Sequence, residues 1–98
     1  MIIKVPKEVD HCFADEIREE VDLILQTKDI RLLEFDFEHT EFMDSSGIGL
    51  IMGRYKLMKQ RQGEVKIKNP SPNTLRVLKL AGMDRLAKIE RNSHDESC

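Results

Sequence analysis

The stretch EFMDSSGIGLIMGRYKLMKQRQG, residues 41–63, decides how this chain folds. An apolar run ends at Met43, a small polar corner of Asp44, Ser45, Ser46 and Gly47 follows, and a second apolar pattern starts at once. From Gly47 onward Ile48, Ile51, Met52, Tyr55 and Met58 fall on one broad helical face. Lys59 and Arg61 occupy the last turn, and Gly63 fits the C′ position that ends the helix. Ser45 or Ser46 would cap the helix start, and Gly47 would allow it to pack closely on the preceding strand. A corner of this kind joins the carboxyl end of a strand to the amino end of a helix, where open α/β sheets place their sites.

The flanks extend the same alternation of elements. Upstream, IRLLEFDFEHTEF (residues 30–42) alternates Leu33, Phe35 and Phe37 with acids and reads as one central strand running up to Met43. Before it, ADEIREEVDLILQTK (residues 14–28) and the adjacent Phe13 place Phe13, Ile17, Val21, Ile24 and Leu25 at helical spacing, with Asp10 as N-cap. The β-branched run IIKV (residues 2–5) reads as a strand stopped by Pro6. Downstream, EVKIKN (residues 64–69) alternates as a strand, and SPNTLRVLKLAG (residues 71–82) is a helix opened by Ser71 and Pro72 and closed by Gly82. LAKIE (residues 86–90) is a last short strand, and residues 92–98 read as a disordered polar tail. Strands alternating with helices require parallel crossovers. The expectation is one α/β domain over residues 1–91, with a mostly parallel sheet of about four strands and helices packed against it.

Composition agrees and narrows the function. The 98 residues suit a single domain, and 40% hydrophobic with 35% charged residues suits a modest core under a polar surface. No window approaches the roughly 20 apolar residues of a membrane span, and the N-terminus lacks the pattern of a signal peptide. Cys12 and Cys98 make neither a ligand motif nor a disulfide framework, so a reducing cytoplasm is the simplest compartment. The net charge of −2 hides an asymmetry: residues 1–53 carry 5 basic and 13 acidic side chains, residues 54–91 carry 11 basic and 3 acidic. Two halves that attract each other account for this. Nucleic acid is disfavoured, because the basic half offers Tyr55 as its one aromatic side chain.

Several chemistries can be tested against the Asp-Ser-Ser-Gly corner. A nucleophile elbow lacks its first glycine, since Met43 and Asp44 stand two before Ser45 and Ser46, and His11, His39 and His94 have no local signature of a base. Gly47, Gly49 and Gly53 put the third glycine of a dinucleotide fingerprint one position late, and Asn69 ends the next strand where an acid is needed. A P-loop lacks its Gly-Lys-Ser/Thr. His39, Glu41 and Asp44 match no standard metal-ligand spacing, so no metal or cofactor is expected. From the residues alone, the corner is a well-capped helix start that bears two serines.

The segment FMDSSGIGLIMGRYK (residues 42–56) resembles the signature of the anti-sigma factor antagonists, whose fold is the STAS domain (sulphate transporter and anti-sigma factor antagonist). It is also similar to the stage II sporulation protein AA type, in which GRYK follows the serine corner. VDHCFADEIREEV (residues 9–21) resembles the family's first helix start with its leading Asp-His pair, and residues 64–89 resemble its later strand, Ser-Pro helix start and end. The resemblance implies that Ser45 is phosphorylated by a partner anti-sigma factor that is also a serine kinase. It implies that the unphosphorylated form binds that partner and frees the sigma factor, that a serine phosphatase restores this form, and that the chain itself catalyses nothing. The implied partner surface comprises Asp44, Ser45, Ser46, Gly47 and Ile48 together with Asp10 and His11.

One departure stands out. The family's additional strand before the one matching IIKV is absent here, and Pro6 and Lys7 replace its usual Thr-Gly turn. An uncovered strand edge invites pairing, so weak homodimerisation through residues 2–5 is expected. The alternative within the same fold is a STAS domain that binds a small ligand or nucleotide as a sensor.

Overall fold

Alternation along the third strand fixes which way the sheet faces. The computed structural model describes residues 1–91, so the tail read at residues 92–98 lies outside the described residues. The elements are β1 (Ile2–Lys4), β2 (Glu8–Val9), α1 (His11–Thr27), β3 (Leu32–Asp36), β4 (Phe42–Met43), α2 (Ser45–Gln60), β5 (Glu64–Lys68), α3 (Pro72–Leu80) and β6 (Lys88–Glu90), with a 3-10 turn at Met83–Arg85. β1, β3, β5 and β6 form a four-stranded sheet in that order, every pair parallel. Leu33 and Phe35 of β3 are fully buried between Ile3 of β1 and Val65 and Ile67 of β5. The intervening Glu34 and Asp36 point to the opposite, polar face, in register with Lys66 and Lys68. That explains how a central strand carries acids: they sit on the wet side.

The strand order steps one way across the sheet, so right-handed crossovers place all three helices on the same face. The buried cluster agrees, uniting Ala14, Val21 and Leu25 of α1, Leu50, Ile51 and Met58 of α2, and Leu78 of α3 with the apolar sheet face. Each large apolar side chain buried there contributes about 1.5–3 kcal/mol. On the polar face the Lys66 ammonium lies 3.1 Å from Glu90, and Lys68 lies 3.9 Å from Glu34. The paired carboxylate raises the Lys66 pKa, and Lys66 in turn lowers that of Glu90.

Three local expectations are corrected. The stretch 30–42 is not one strand: after Asp36 the chain turns, with the Glu38 amide donating to the Asp36 carboxylate at 3.0 Å and the Thr40 hydroxyl to the Pro6 carbonyl at 2.8 Å. Those bonds re-aim the chain so that β4 pairs with β2 in a separate two-stranded parallel ribbon. The left-handed residue after α2 is Gln62, with φ of 61°, and Gly63 follows it. Gly63 donates to the Met58 carbonyl at 2.7 Å and Gln62 to that of Lys59 at 3.1 Å, the paired closure of a Schellman end. Finally, neither serine caps α2; Asp44 does.

The helix pair α1 and α2 carries a buried charge. Arg54, half-way along α2, is 6% exposed, and its Nε stands 3.0 Å from Oδ1 of Asp22 on α1. The approach is coulombic rather than an aligned hydrogen bond, and Nη1 also lacks a hydrogen-bond partner. Burial lowers the Arg54 pKa, Asp22 pulls it back, and Arg18 adds to the lowering. The guanidinium nevertheless stays charged at working pH.

Candidate functional site

The β2–β4 ribbon builds the site by bringing two helix starts side by side. Val9 pairs with Met43, and in each strand the next residue is an aspartate that caps the helix beginning immediately after it. Asp10 accepts from the Phe13 amide at 3.0 Å, and Asp44 accepts from the Ser46 amide at 2.8 Å. The Asp44 amide donates across the ribbon to the Val9 carbonyl at 3.3 Å, tying the two corners together. Both aspartates are at positions where orphan helix amides want an acceptor and where the macrodipole favours negative charge.

Each residue expected at the site can be placed. Ser45 is the first residue of α2 and is exposed; Ser46 is half-buried with its amide held by Asp44. Gly47 is buried against the ribbon, where a Cβ would stand 2.4 Å from Met43 Cγ and 3.3 Å from Val9 Cγ1. Only glycine lets the helix start sit that low. Ile48 is half-buried and packs on the core rather than projecting freely. His11, first residue of α1, is exposed and occupies the position in α1 that Ser45 occupies in α2. His11 lines a shallow cleft of about 280 Å³ with Ala14, Asp15, Arg18, Ser46, Gly49 and Leu50. The neighbouring Cys12 thiol lies 3.6 Å from His11 Nε2.

The ribbon thus brings Asp10 and His11 to Asp44 and Ser45 across 34 residues of sequence. Two residues of this surface escaped the sequence reading. Glu8 and Phe42 face each other in the ribbon and are both exposed. The signal was present in the pleat: with Met43 turned inward, Phe42 must turn outward. Among the described residues, no three or more His, Cys, Asp or Glu side chains come together to hold a metal ion, and no helix is long and apolar enough to cross a membrane.

Residues 1–96 match the family described as the STAS domain. The chain belongs to that family. This STAS domain is similar to the anti-sigma F factor antagonist of Paenibacillus polymyxa, 33% identical over 92 residues that cover 94% of this chain and 79% of that protein. It is also similar to the anti-sigma-B factor antagonist of Bacillus subtilis, 29% identical over 92 residues, covering 93% of this chain and 82% of that protein. Among solved structures it resembles the anti-sigma factor antagonist SpoIIAA in its unphosphorylated form, with a TM-score of 0.85 at 26% identity, covering 96% of this chain and 82% of that one. SpoIIAA in the phosphorylated form superposes with a TM-score of 0.76 at 26% identity, over 98% and 86% of the two chains.

Proposed function

We propose that this STAS domain is an anti-sigma factor antagonist: its unphosphorylated form binds an anti-sigma factor that is also a serine kinase, and phosphorylation of Ser45 ends that binding. The observation that carries this reading is the placement of Ser45. Ser45 is an exposed residue on the first turn of α2, in a backbone corner fixed by the Asp44 cap on the Ser46 amide and by the close-packed Gly47. A kinase can reach such a hydroxyl without unfolding anything. The curated relatives named as antagonists and the two forms of SpoIIAA support the same reading.

The physics suits a switch. A phosphoserine adds about −1.5 to −2 charges at pH 7. At a helix N-terminus that charge gains about 0.3–1 kcal/mol, so the fold tolerates it. In a complex that displaces water, the chain's own acidic corner, Asp44 foremost, repels the phosphate, and a carboxylate about 6 Å from it costs on the order of 1–5 kcal/mol. Each 1.4 kcal/mol is about tenfold in affinity. A serine phosphatase would complete the cycle.

The deciding experiment mixes the chain with an anti-sigma factor kinase from the same genome and ATP, then maps the modified residue by mass spectrometry. One added phosphate on Ser45 is expected. Saturable nucleotide binding without covalent change would favour a ligand-sensing STAS domain instead.

A further inference from the structure

Phe42 is 56% exposed, whereas Phe13, Phe35, Phe37 and Tyr55 are all buried or half-buried. It stands three residues before Ser45 on the outward side of a ribbon that is not free to move: its amide and that of Glu41 both donate to the Lys7 carbonyl, at 3.1 and 2.8 Å. An exposed aromatic side chain on a hydrogen-bonded backbone has only two side-chain torsions to fix when it is covered, which is the character of an interface anchor. Its surroundings are acidic. Glu8 lies opposite it, Glu41 precedes it, and Asp10 and Asp44 follow directly after the two strands. The neighbouring Lys7 ammonium is already 3.1 Å from Glu41.

We infer that Phe42 is the apolar anchor by which this surface docks the anti-sigma factor, and that the partner offers an apolar pocket rimmed by Lys or Arg side chains to receive it. The inference rests on the function proposed above, and adds to it the chemistry of the complementary surface. Continuity with Ser45 and the excess of carboxylates around the ring select this occupant over a second copy of the chain, whose own ribbon is equally acidic. The carboxylates steer the encounter, and the ring supplies the hold.

The test is a titration of the anti-sigma factor kinase from the same genome with the unmodified chain and with Phe42→Ala, Phe42→Leu and Leu80→Ala, each checked by thermal melting. Leu80 is 84% exposed as the last residue of α3 and serves as an exposed apolar residue outside the ribbon strands. Phe42→Ala is expected to weaken binding at least tenfold, Phe42→Leu to fall between, and Leu80→Ala to match the parent. Affinity of the parent should also drop as salt is raised, reporting the charged rim. Parent binding that Phe42→Ala and Phe42→Leu leave unchanged overturns the anchor while the antagonist function stands. An equal loss for Leu80→Ala also overturns it, since the ribbon would then have no special part. No binding by the parent removes both.

Discussion

Gly47 lies so close to Met43 that a methyl group on its Cα would stand 2.4 Å from Met43 Cγ and 2.6 Å from Met43 Sδ. Met43 is itself buried, so it has little room to yield. Gly47→Ala is therefore expected to destabilise the chain by about 1–3 kcal/mol through overpacking, despite the better helix propensity of alanine. Denaturant unfolding measures this. A neutral or stabilising outcome would mean that Met43 swings aside freely.

The acceptor is expected to be Ser45 and not Ser46. Ser45 is exposed, whereas Ser46 is half-buried and turned toward the cleft beside His11. Ser45→Ala should retain partner binding and resist phosphorylation, and Ser46→Ala should still be labelled. Radiolabel incorporation distinguishes the two, and labelling that follows Ser46 reverses the assignment.

Ser45→Asp should weaken partner binding while leaving the melting temperature close to that of the parent. In the free protein the added charge faces water and a helix N-terminus worth about 1 kcal/mol or less. In the complex that water is gone. One charge with less bulk than a phosphate should act more weakly than true phosphorylation. A titration paired with melts tests this, and unchanged affinity would rule out local charge as the cause.

The Asp22–Arg54 pair predicts an asymmetry. Asp22→Asn strands a buried guanidinium, which costs about 3–5 kcal/mol when both partners are fully buried. The loss should be smaller here, because a third of the Asp22 side chain remains in solvent. Arg54→Met, which removes the charge and fills similar space, should cost less than Asp22→Asn. Equal losses in chemical denaturation would show that the burial of the charge is not what matters.

The Lys66–Glu90 pair sets a pH window. Glu90 titrates below its ordinary value of 4.5, so its contribution is full above that value and disappears as pH falls through the depressed one. Lys66 titrates above its ordinary 10.5, so its contribution is full below that and lost as pH rises through the raised value. Glu90→Gln should lower the melting temperature slightly at neutral pH and converge with the parent in acid. The gap should shrink with added salt, since the pair is partly exposed. A difference that persists below the Glu90 titration would mean that the side chain acts through packing.

Much of this was legible from residues. The caps at Asp10 and Ser71, the helix closed by Gly82, and the central position of the Leu33–Phe35 strand all follow from patterns that local physics dictates. The family resemblance carried the functional reading, and the STAS match bears out the family. What escaped was short or tertiary. β2 spans two residues, too few for any periodicity, and β4 takes its separate identity from bonds to Asp36 and Pro6. Either serine could have capped α2 by composition; Asp44 wins because its carboxylate is the stronger acceptor and stands one residue earlier. The end of α2 slipped by one residue because Gln62 takes the left-handed conformation before the glycine.

At the far end of α2, the Arg61 guanidinium donates to the Leu25 carbonyl and, at 3.2 Å, to that of Lys28, both at the end of α1. The two helices are therefore clamped at both tips, by the ribbon where they begin and by Arg61 where they finish. A beam fixed at both ends resists tilting far better than one hinged at a single end. A phosphate on Ser45 would meet that stiffness, and the expected effect is a change in what the skin of the molecule displays rather than in the shape underneath.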